Sequence, residues 1–379
     1  MTSANEKQTK ITLQTVHDLA TWLSPFRFAT EEQQKRILSE QGQLSIFYLA
    51  NQFWLMGALM NKLQRHSVWQ EFDELTIEYL VSMEAFYAER SDSIQQEAIK
   101  VCTLFQQQNI DIILLKGAAT LFNRISSPTS VRFMSDIDIL VPESQQAQAV
   151  KILDENGYRE DEVELKIDAK GHYHAPPLKH PDSICYIEIH RAAQKTSLQE
   201  LLPTQDLWDR AVPLELTQDL CVKQLCPVDQ IVLSIVHSQL ADGGFDEKQI
   251  ELRQLYDFTT LINRHGNDVD WGKITQRFSE TQDLDAYYGL LNHANRLLGY
   301  EYPIPKPYVD SSTKHYTQCM SNLLQVDGED KRVSSVMRVL KGYSKETMMN
   351  LYGSTDFSSI MRARFKHFVR HVKKSMRLK

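Results

Sequence analysis

The stretch Ser135-Asp136-Ile137-Asp138-Ile139-Leu140-Val141, closed by Pro142, sets two acids among branched aliphatic residues. Side chains on a strand alternate between faces, so Asp136 and Asp138 leave one face while Ile137 and Ile139 fill the other. Two carboxylates held in parallel repel each other. One of them takes up a proton, or the strand end unpairs, unless a cation sits between them. A hard ion that prefers oxygen ligands, Mg²⁺ first and Mn²⁺ as its substitute, meets that need and points to phosphate chemistry. The competing reading is a solvated strand edge whose charges block edge-to-edge association. The flanking Met134, Ile137, Ile139, Leu140 and Val141 favour a buried strand instead, where unpaired charge is costly.

Two neighbouring segments share this character. Upstream, Asp111-Ile112-Ile113-Leu114-Leu115 has the length and apolarity of a strand, and Lys116-Gly117-Ala118-Ala119 turns it into a short helix ending near Arg124. Backbone amides of Gly117, Ala118 and Ala119 at a helix N-terminus would hold a β- or γ-phosphate, with Lys116 and Arg132 adding charge. A tight strand-to-helix turn carrying a solvated lysine is the plainer alternative. Downstream, Ile187-Glu188-Ile189-His190 places Glu188 and His190 on one strand face. Glu188 is the candidate third carboxylate, against an exposed strand glutamate. His190 fits an acid, a base or a hydrogen-bonded support for the carboxylate, and equally a structural histidine.

The rest of the chain is mostly of helical period. Ile46, Leu49, Phe53, Met56, Met60 and Leu63 recur at three- and four-residue spacing within a region from Leu13 to Gln108. After the Ser126–Ser130 loop and the acidic strand, Ser144 to Asn156 reads as a helix with Gly157 just past its end. Val163, Leu165 and Ile167 alternate as a strand, and Ser183 to His190 forms another. Helices are predicted again over Val228–Leu240, Glu251–Asn263, Trp271–Phe278 and Leu284–Leu298, with Asp270 capping the third. Pro303, Pro305 and Pro307 make a connector before a last helical region from about Ser311. These patterns divide the chain into a helical region (1–94), a small α/β core domain (95–195), a helical domain (196–300) and a C-terminal helical region with a basic tail (301–379).

Composition narrows the class. With 379 residues and 42% apolar content the chain can bury a substantial core. A polar N-terminus and no apolar run of membrane-spanning length lead to the expectation of a cytoplasmic protein without a signal peptide. The five cysteines are scattered, with four residues between Cys221 and Cys226, which suggests neither a disulfide framework nor a zinc motif. His172 and His174 would share a strand face but lack partners for a tetrahedral site, so they read as surface or pocket-lining residues. His237 reads as a core histidine. A net charge of −7 and an acid-rich Asp154–Glu164 argue against a polynucleotide track. The tail from Arg362 to Lys379 carries eight Lys/Arg and no acid, interleaved with Phe365, Phe368, Val369 and Val372. It suits packing on the acidic body, or else an acidic partner or membrane surface.

Taken together, Leu115-Lys-Gly-Ala-Ala, Arg132-Phe-Met-Ser-Asp-Ile-Asp-Ile-Leu-Val-Pro, Gly157-Tyr158, Ile187-Glu-Ile-His, and Leu252-Arg-Gln-Leu-Tyr-Asp257 with Asp270-Trp271 resemble the nucleotidyltransferase superfamily that includes DNA polymerase β. The closer resemblance, over about residues 100–280, is to the uncharacterised bacterial nucleotidyltransferases of polysaccharide and natural-product loci. It implies an α+β fold: a small polymerase β-like α/β core with a mixed sheet, flanked by helical N- and C-terminal regions. It further implies an enzyme of the 2.7.7 class using two Mg²⁺ ions held by Asp136, Asp138 and Glu188, with Lys116, Gly117, Ala118, Arg132, Ser135 and His190 binding the nucleotide. The sequence departs from the superfamily pattern in placing Ala118 after Gly117, and a glutamate where an aspartate is commoner. The expected reaction transfers NMP from an NTP, ATP first, to a hydroxyl or phosphate on a small molecule, sugar or protein in preference to RNA. The alternatives are γ-phosphoryl transfer on the same scaffold and an inactive nucleotide- or partner-binding module.

Overall fold

Helix starts along the first third of the chain are written as capping residues. Thr12 and Thr30 each form a reciprocal capping box, opening α1 (Leu13–Leu23) and α2 (Glu31–Leu38). Ser39 caps α3 (Glu40–Gln52), and α4 (Met56–Gln64) follows. Asp73 accepts the Thr76 amide to open α5 (Glu74–Gln107), a helix of 34 residues. The structure, a computed structural model, describes residues 11–123, 132–160 and 173–325. The expected Ser126–Ser130 loop, the Val163–Ile167 strand, His172 and the basic tail lie outside the described residues.

The sheet begins with β1 (Ile113–Leu114), followed by α6 (Lys116–Phe122), β2 (Asp136–Leu140), α7 (Gln146–Glu155), β3 (Arg159–Glu160), β4 (Leu178–Lys179) and β5 (Tyr186–His190). Gly157, at φ +89°, takes the left-handed conformation that ends α7, as its position predicts. After α8 (Thr204–Arg210) come two strands that the sequence reading passes over, β6 (Val212–Glu215) and β7 (Cys221–Gln224). They extend the sheet beyond residue 195. The seven strands lie in the order β3-β4-β5-β2-β1-β7-β6. Pairing is mixed: β2 with β5 and β1 with β7 are parallel, and β1 with β2 is antiparallel.

The C-terminal half supplies α9 (Pro227–Ile235), which runs into a π-helical segment Val236–Ala241, then α10 (Leu252–His265) and α11 (Trp271–Glu280). Asp270 accepts the Lys273 amide at the start of α11, the N-cap expected of it. Next come α12 (Leu284–His293), with π-helical Ala294–Leu298 behind it, and α13 (Lys306–Gln325). The last helix among the described residues therefore starts at Lys306 and takes Pro307 into its first turn, where the missing N–H costs nothing; the expected start near Ser311 is too late.

Two apolar clusters divide the interior. One packs the sheet face of Ile137, Ile139, Ile187 and Ile189 against Ile94, Ala98, Val101 and Phe105 of α5 and Ala149 and Leu153 of α7. The other joins the N-terminal helices to those after the sheet, with Leu19, Phe47 and Tyr87 in one cluster with Phe258, Phe278 and Leu291. Ser24 Oγ donates to Leu298 O at 2.6 Å across that junction. The helical regions expected as separate flanks thus share one core, and α5 passes through the boundary expected at residue 94. The mixed sheet flanked by helices is the α+β architecture that the resemblance implies.

Candidate active site

The acidic strand sits in the middle of the sheet, and register brings its partners to it. Parallel pairing sets Asp138 opposite Glu188 and Leu140 opposite His190, so Asp136, Asp138, Glu188 and His190 share one face. The aliphatic residues between them are buried on the other face. Asp138 Oδ1 accepts from Lys116 Nζ at 2.9 Å and lies 3.0 Å from His190 Nε2, which is 3.4 Å from Glu188 Oε2. A carboxylate accepts only, so His190 carries its proton on Nε2. Ligand atoms of Asp138, Glu188 and His190 lie within 4.8 Å of one another, the spacing of a metal site, although His190 could ligate only after losing the Nε2 proton. That group differs from the expected one by taking His190 in place of Asp136, which stands two residues before it on the same face.

The charges do not sit alike. Burial pushes the Asp136 carboxyl up, and the like charges of Asp138 and Glu188 add to the rise. Burial acts the same way on Asp138, but Lys116 and His190 outweigh it and hold that carboxyl far below its ordinary range. Burial also opposes ionisation of Glu188, yet the hydrogen bond from His190 keeps it low. His190 itself is raised: its burial favours the neutral ring, and Asp138 and Glu188 more than offset this. Negative charge is thus already compensated at Asp138, whereas at Asp136 Lys116 and Arg132 offset only part of the rise, and an added cation would be most stabilising there.

Lys116 reaches Asp138 from a strained position. Its φ is +46°, a left-handed conformation unusual for a residue with a side chain. Leu115 donates its amide to Asp138 O at 3.0 Å, pinning the turn to the acidic strand. Lys116, read as a phosphate-binding residue, has its ammonium paired with Asp138 at the edge of the cavity. At Gly117 a Cβ would lie 2.0 Å from Arg132 Nη1, so the absence of a side chain is what lets the guanidinium rest on the turn. Ala118 is buried in the core, which leaves only its backbone for ligand contact. Arg132 Nε donates to Asp257 Oδ2 of α10 at 3.0 Å, tying the turn to the C-terminal helices. Ser135 lies just before β2 and lines the same cavity.

That cavity, about 140 Å³, lies between the turn and α9–α10. Its apolar wall includes Leu225, Leu233, Leu261 and Phe133, and its polar wall includes Lys116, Arg132, Asp136 and Asp138. Three further lining residues escape sequence reasoning: His237, Arg253 and Gln254. His237, expected in the core, is in fact partly exposed in the cavity wall, with Nδ1 3.2 Å from Asp242 Oδ1. Arg253 Nε is buried with no hydrogen-bond partner among the described residues, a cationic group available to an anion. The only cue to Arg253 was the Leu252–Asp257 segment of the resemblance. His174 does not line the cavity; its ring packs 5.2 Å from that of His190, behind the carboxylates.

Cys221 and Cys226 are both free thiols, and the latter donates to Asp229 Oδ2 at 3.1 Å. Among the described residues no helix is long and apolar enough to cross a membrane. A family model described as an uncharacterised nucleotidyltransferase matches residues 39–299. No curated protein matches the chain.

Proposed function

The chain belongs to this family of uncharacterised nucleotidyltransferases, the match covering most of its length, and from that premise we propose that it transfers the NMP group of an NTP, ATP first, to a hydroxyl or phosphate acceptor. The observation that supports this most is the register of Asp138 against Glu188, with Asp136 on the same face of β2 beside a cavity carrying Arg132 and Arg253. The acceptor is a small molecule or protein; the acidic chain favours neither RNA nor DNA.

The donor set suits a hard divalent ion. Three carboxylates share one face of the sheet, and the burial and repulsion that raise Asp136 are both relieved by a cation. Asp136, Asp138 and Glu188 would hold Mg²⁺, with His190 supporting Asp138 and Glu188 from behind. When bound, Mg²⁺ would neutralise triphosphate charge and make the α-phosphorus more electrophilic. The residues of the chain do the remaining work. Arg253 and Arg132 bind triphosphate oxygens, the Gly117 turn lets Arg132 approach, and the apolar wall around Leu225 and Leu233 excludes water from the base. Glu188, kept ionised by His190, orients the acceptor hydroxyl and takes up its proton as the acceptor oxygen bonds to the α-phosphorus. The bond from the α-phosphorus to the bridging oxygen breaks, and pyrophosphate leaves.

The test incubates the full chain with Mg²⁺, a fractionated extract as the acceptor source, and ATP labelled at either the α- or the γ-phosphorus. A product labelled from α- but not γ-labelled ATP is expected. Label arriving only from the γ-position would mean phosphoryl transfer and overturn the proposal.

Gly117→Ala isolates the turn. The added methyl displaces the Arg132 guanidinium, the mobile end of a long side chain, so the fold should survive with little change in Tm. Nucleotide binding should weaken roughly tenfold, the worth of one hydrogen bond to a charged group. Titration of MgATP followed by calorimetry measures both variant and parent; equal affinities would remove Arg132 from the phosphate site.

A further inference from the structure

Away from the carboxylates, three residues meet in the second apolar cluster: His293 at the end of α12, and His315 and Cys319 one turn apart on α13. All three are buried, at 0%, 3% and 0% exposure. Ligand atoms from the three lie within 4.8 Å of one another. His315 Nδ1 is 3.3 Å from His293 Nε2, and Cys319 Sγ is 3.7 Å from each ring nitrogen of His315. We propose that His293, His315 and Cys319 form a structural Zn²⁺ site that locks α13 onto α12.

Two of the three ligand edges match what zinc requires, and the third lies within 4.8 Å. Tetrahedral bonds of about 2.05 Å to nitrogen and 2.3 Å to sulfur give N···N edges of about 3.4 Å and N···S edges of about 3.6 Å. The observed 3.3 and 3.7 Å sit on those edges. The tautomer is also set. His315 Nε2 lies 3.0 Å from the Phe245 carbonyl, which can only accept, so the proton is on Nε2 and Nδ1, 3.3 Å from His293 Nε2, keeps its lone pair. A backbone carbonyl holding the far N–H of a histidine is how metal-binding imidazoles are commonly oriented.

Spacing and surroundings agree. His315 and Cys319 are four residues apart on one helix and therefore on one face. Gly289, one turn before His293, lies against His315: a Cβ there would stand 3.5 Å from Nδ1, an ordinary packing distance. Phe245 stacks on His315 at 4.6 Å, and the Tyr316 ring lies 5.8 Å from that of His293, closing an aromatic shell. His293 Nδ1 is buried with no hydrogen-bond partner among the described residues, which leaves the contact to His315 as what fixes the ring. Side chains enclosed in this way suit a structural ion, and closing the tetrahedron requires a fourth donor beyond these three.

The experiment uses the purified full chain after exhaustive dialysis. Elemental analysis should find one zinc per chain, and X-ray absorption at the zinc edge should show one sulfur and two imidazole nitrogens. Cys319→Ser should remove the sulfur, whereas Asp138→Ala should leave both zinc content and sulfur shell intact, separating this site from the carboxylate cluster. Stripping the metal with a chelator should lower Tm by several degrees, and zinc should restore it. A dialysed chain that holds no zinc and takes up none at micromolar concentration would leave a stacked pair of core histidines and overturn the proposal. So would bound zinc with only nitrogen and oxygen neighbours. Both readings come from the unmutated protein, so a Cys319→Ser chain that fails to fold does not blunt the test.

Discussion

Asp138→Asn should abolish transfer, lowering the rate roughly 10³-fold or more, because it removes charge at the point where substrate charge must be balanced. The same change should lower Tm of the metal-free protein. Asp138 is the shared partner of buried Lys116 and His190, and its neutral replacement leaves both cations poorly compensated. Asp136→Asn makes a sharp contrast. The Asp136 carboxyl is raised above its unfolded value, so it binds its proton more tightly in the folded state, and its ionisation at neutral pH works against folding. Removing that charge should leave Tm unchanged or raise it, while also eliminating transfer. Calorimetric melting of both variants at pH 7 in chelator, paired with the labelled-ATP assay, decides the matter. A Tm that falls equally in both would mean that the two aspartates are not electrostatically distinct.

The second large effect concerns folding. Asp229, in the first turn of α9, is fully buried and accepts from Arg210 Nε and Nη2 of α8 at 3.0 and 3.1 Å and from Arg277 Nη1 of α11 at 2.8 Å. Asp229→Ala takes this carboxylate from Arg277 and leaves Arg210 only Asp206, and should cost about 3 kcal/mol. For a chain of this size that is a fall in Tm of roughly 10 °C. Burial opposes ionisation of Asp229, but Arg210 and Arg277 outweigh it and hold the carboxyl below its ordinary value. A depressed carboxyl contributes fully above its unfolded pKa of about 3.9 and loses that contribution as pH falls through the folded value. Denaturant unfolding of the parent should therefore weaken over that acid window more steeply than that of Asp229→Ala. Parallel slopes would count against the clamp.

The centre of the sheet could be read from the chain because its signals are local. Asp136 and Asp138 alternate with buried isoleucines, and Glu188 and His190 repeat the pattern on β5. What escaped reading depends on non-local packing. Strands β6 and β7 have four residues each, and Pro213 interrupts the first; the sheet tolerates it because β6 is the outermost strand. His237 lies in a π-helical segment, where the extra residue per turn shifts the phase that helical periodicity assumes. Arg253 looks like any cation on an amphipathic helix until α10 is packed over the turn. Lys116 was legible as a residue, but its left-handed backbone and its commitment to Asp138 follow from the fold around it.

The shared helix α5 has a rotational meaning as well. Its 34 residues make a rod about 50 Å long. Tyr79, Leu80, Met83, Phe86 and Tyr87 enter one apolar cluster, and Ile94, Ala98, Val101 and Phe105 enter the other. Each residue of an α-helix turns the next by about 100°. A single insertion between Tyr87 and Ile94 would swing the second stripe away from the sheet while the first stayed seated. The two halves of the molecule are thus held in phase as two cams on one shaft are, and change in residue count within that interval is tolerable only in whole turns.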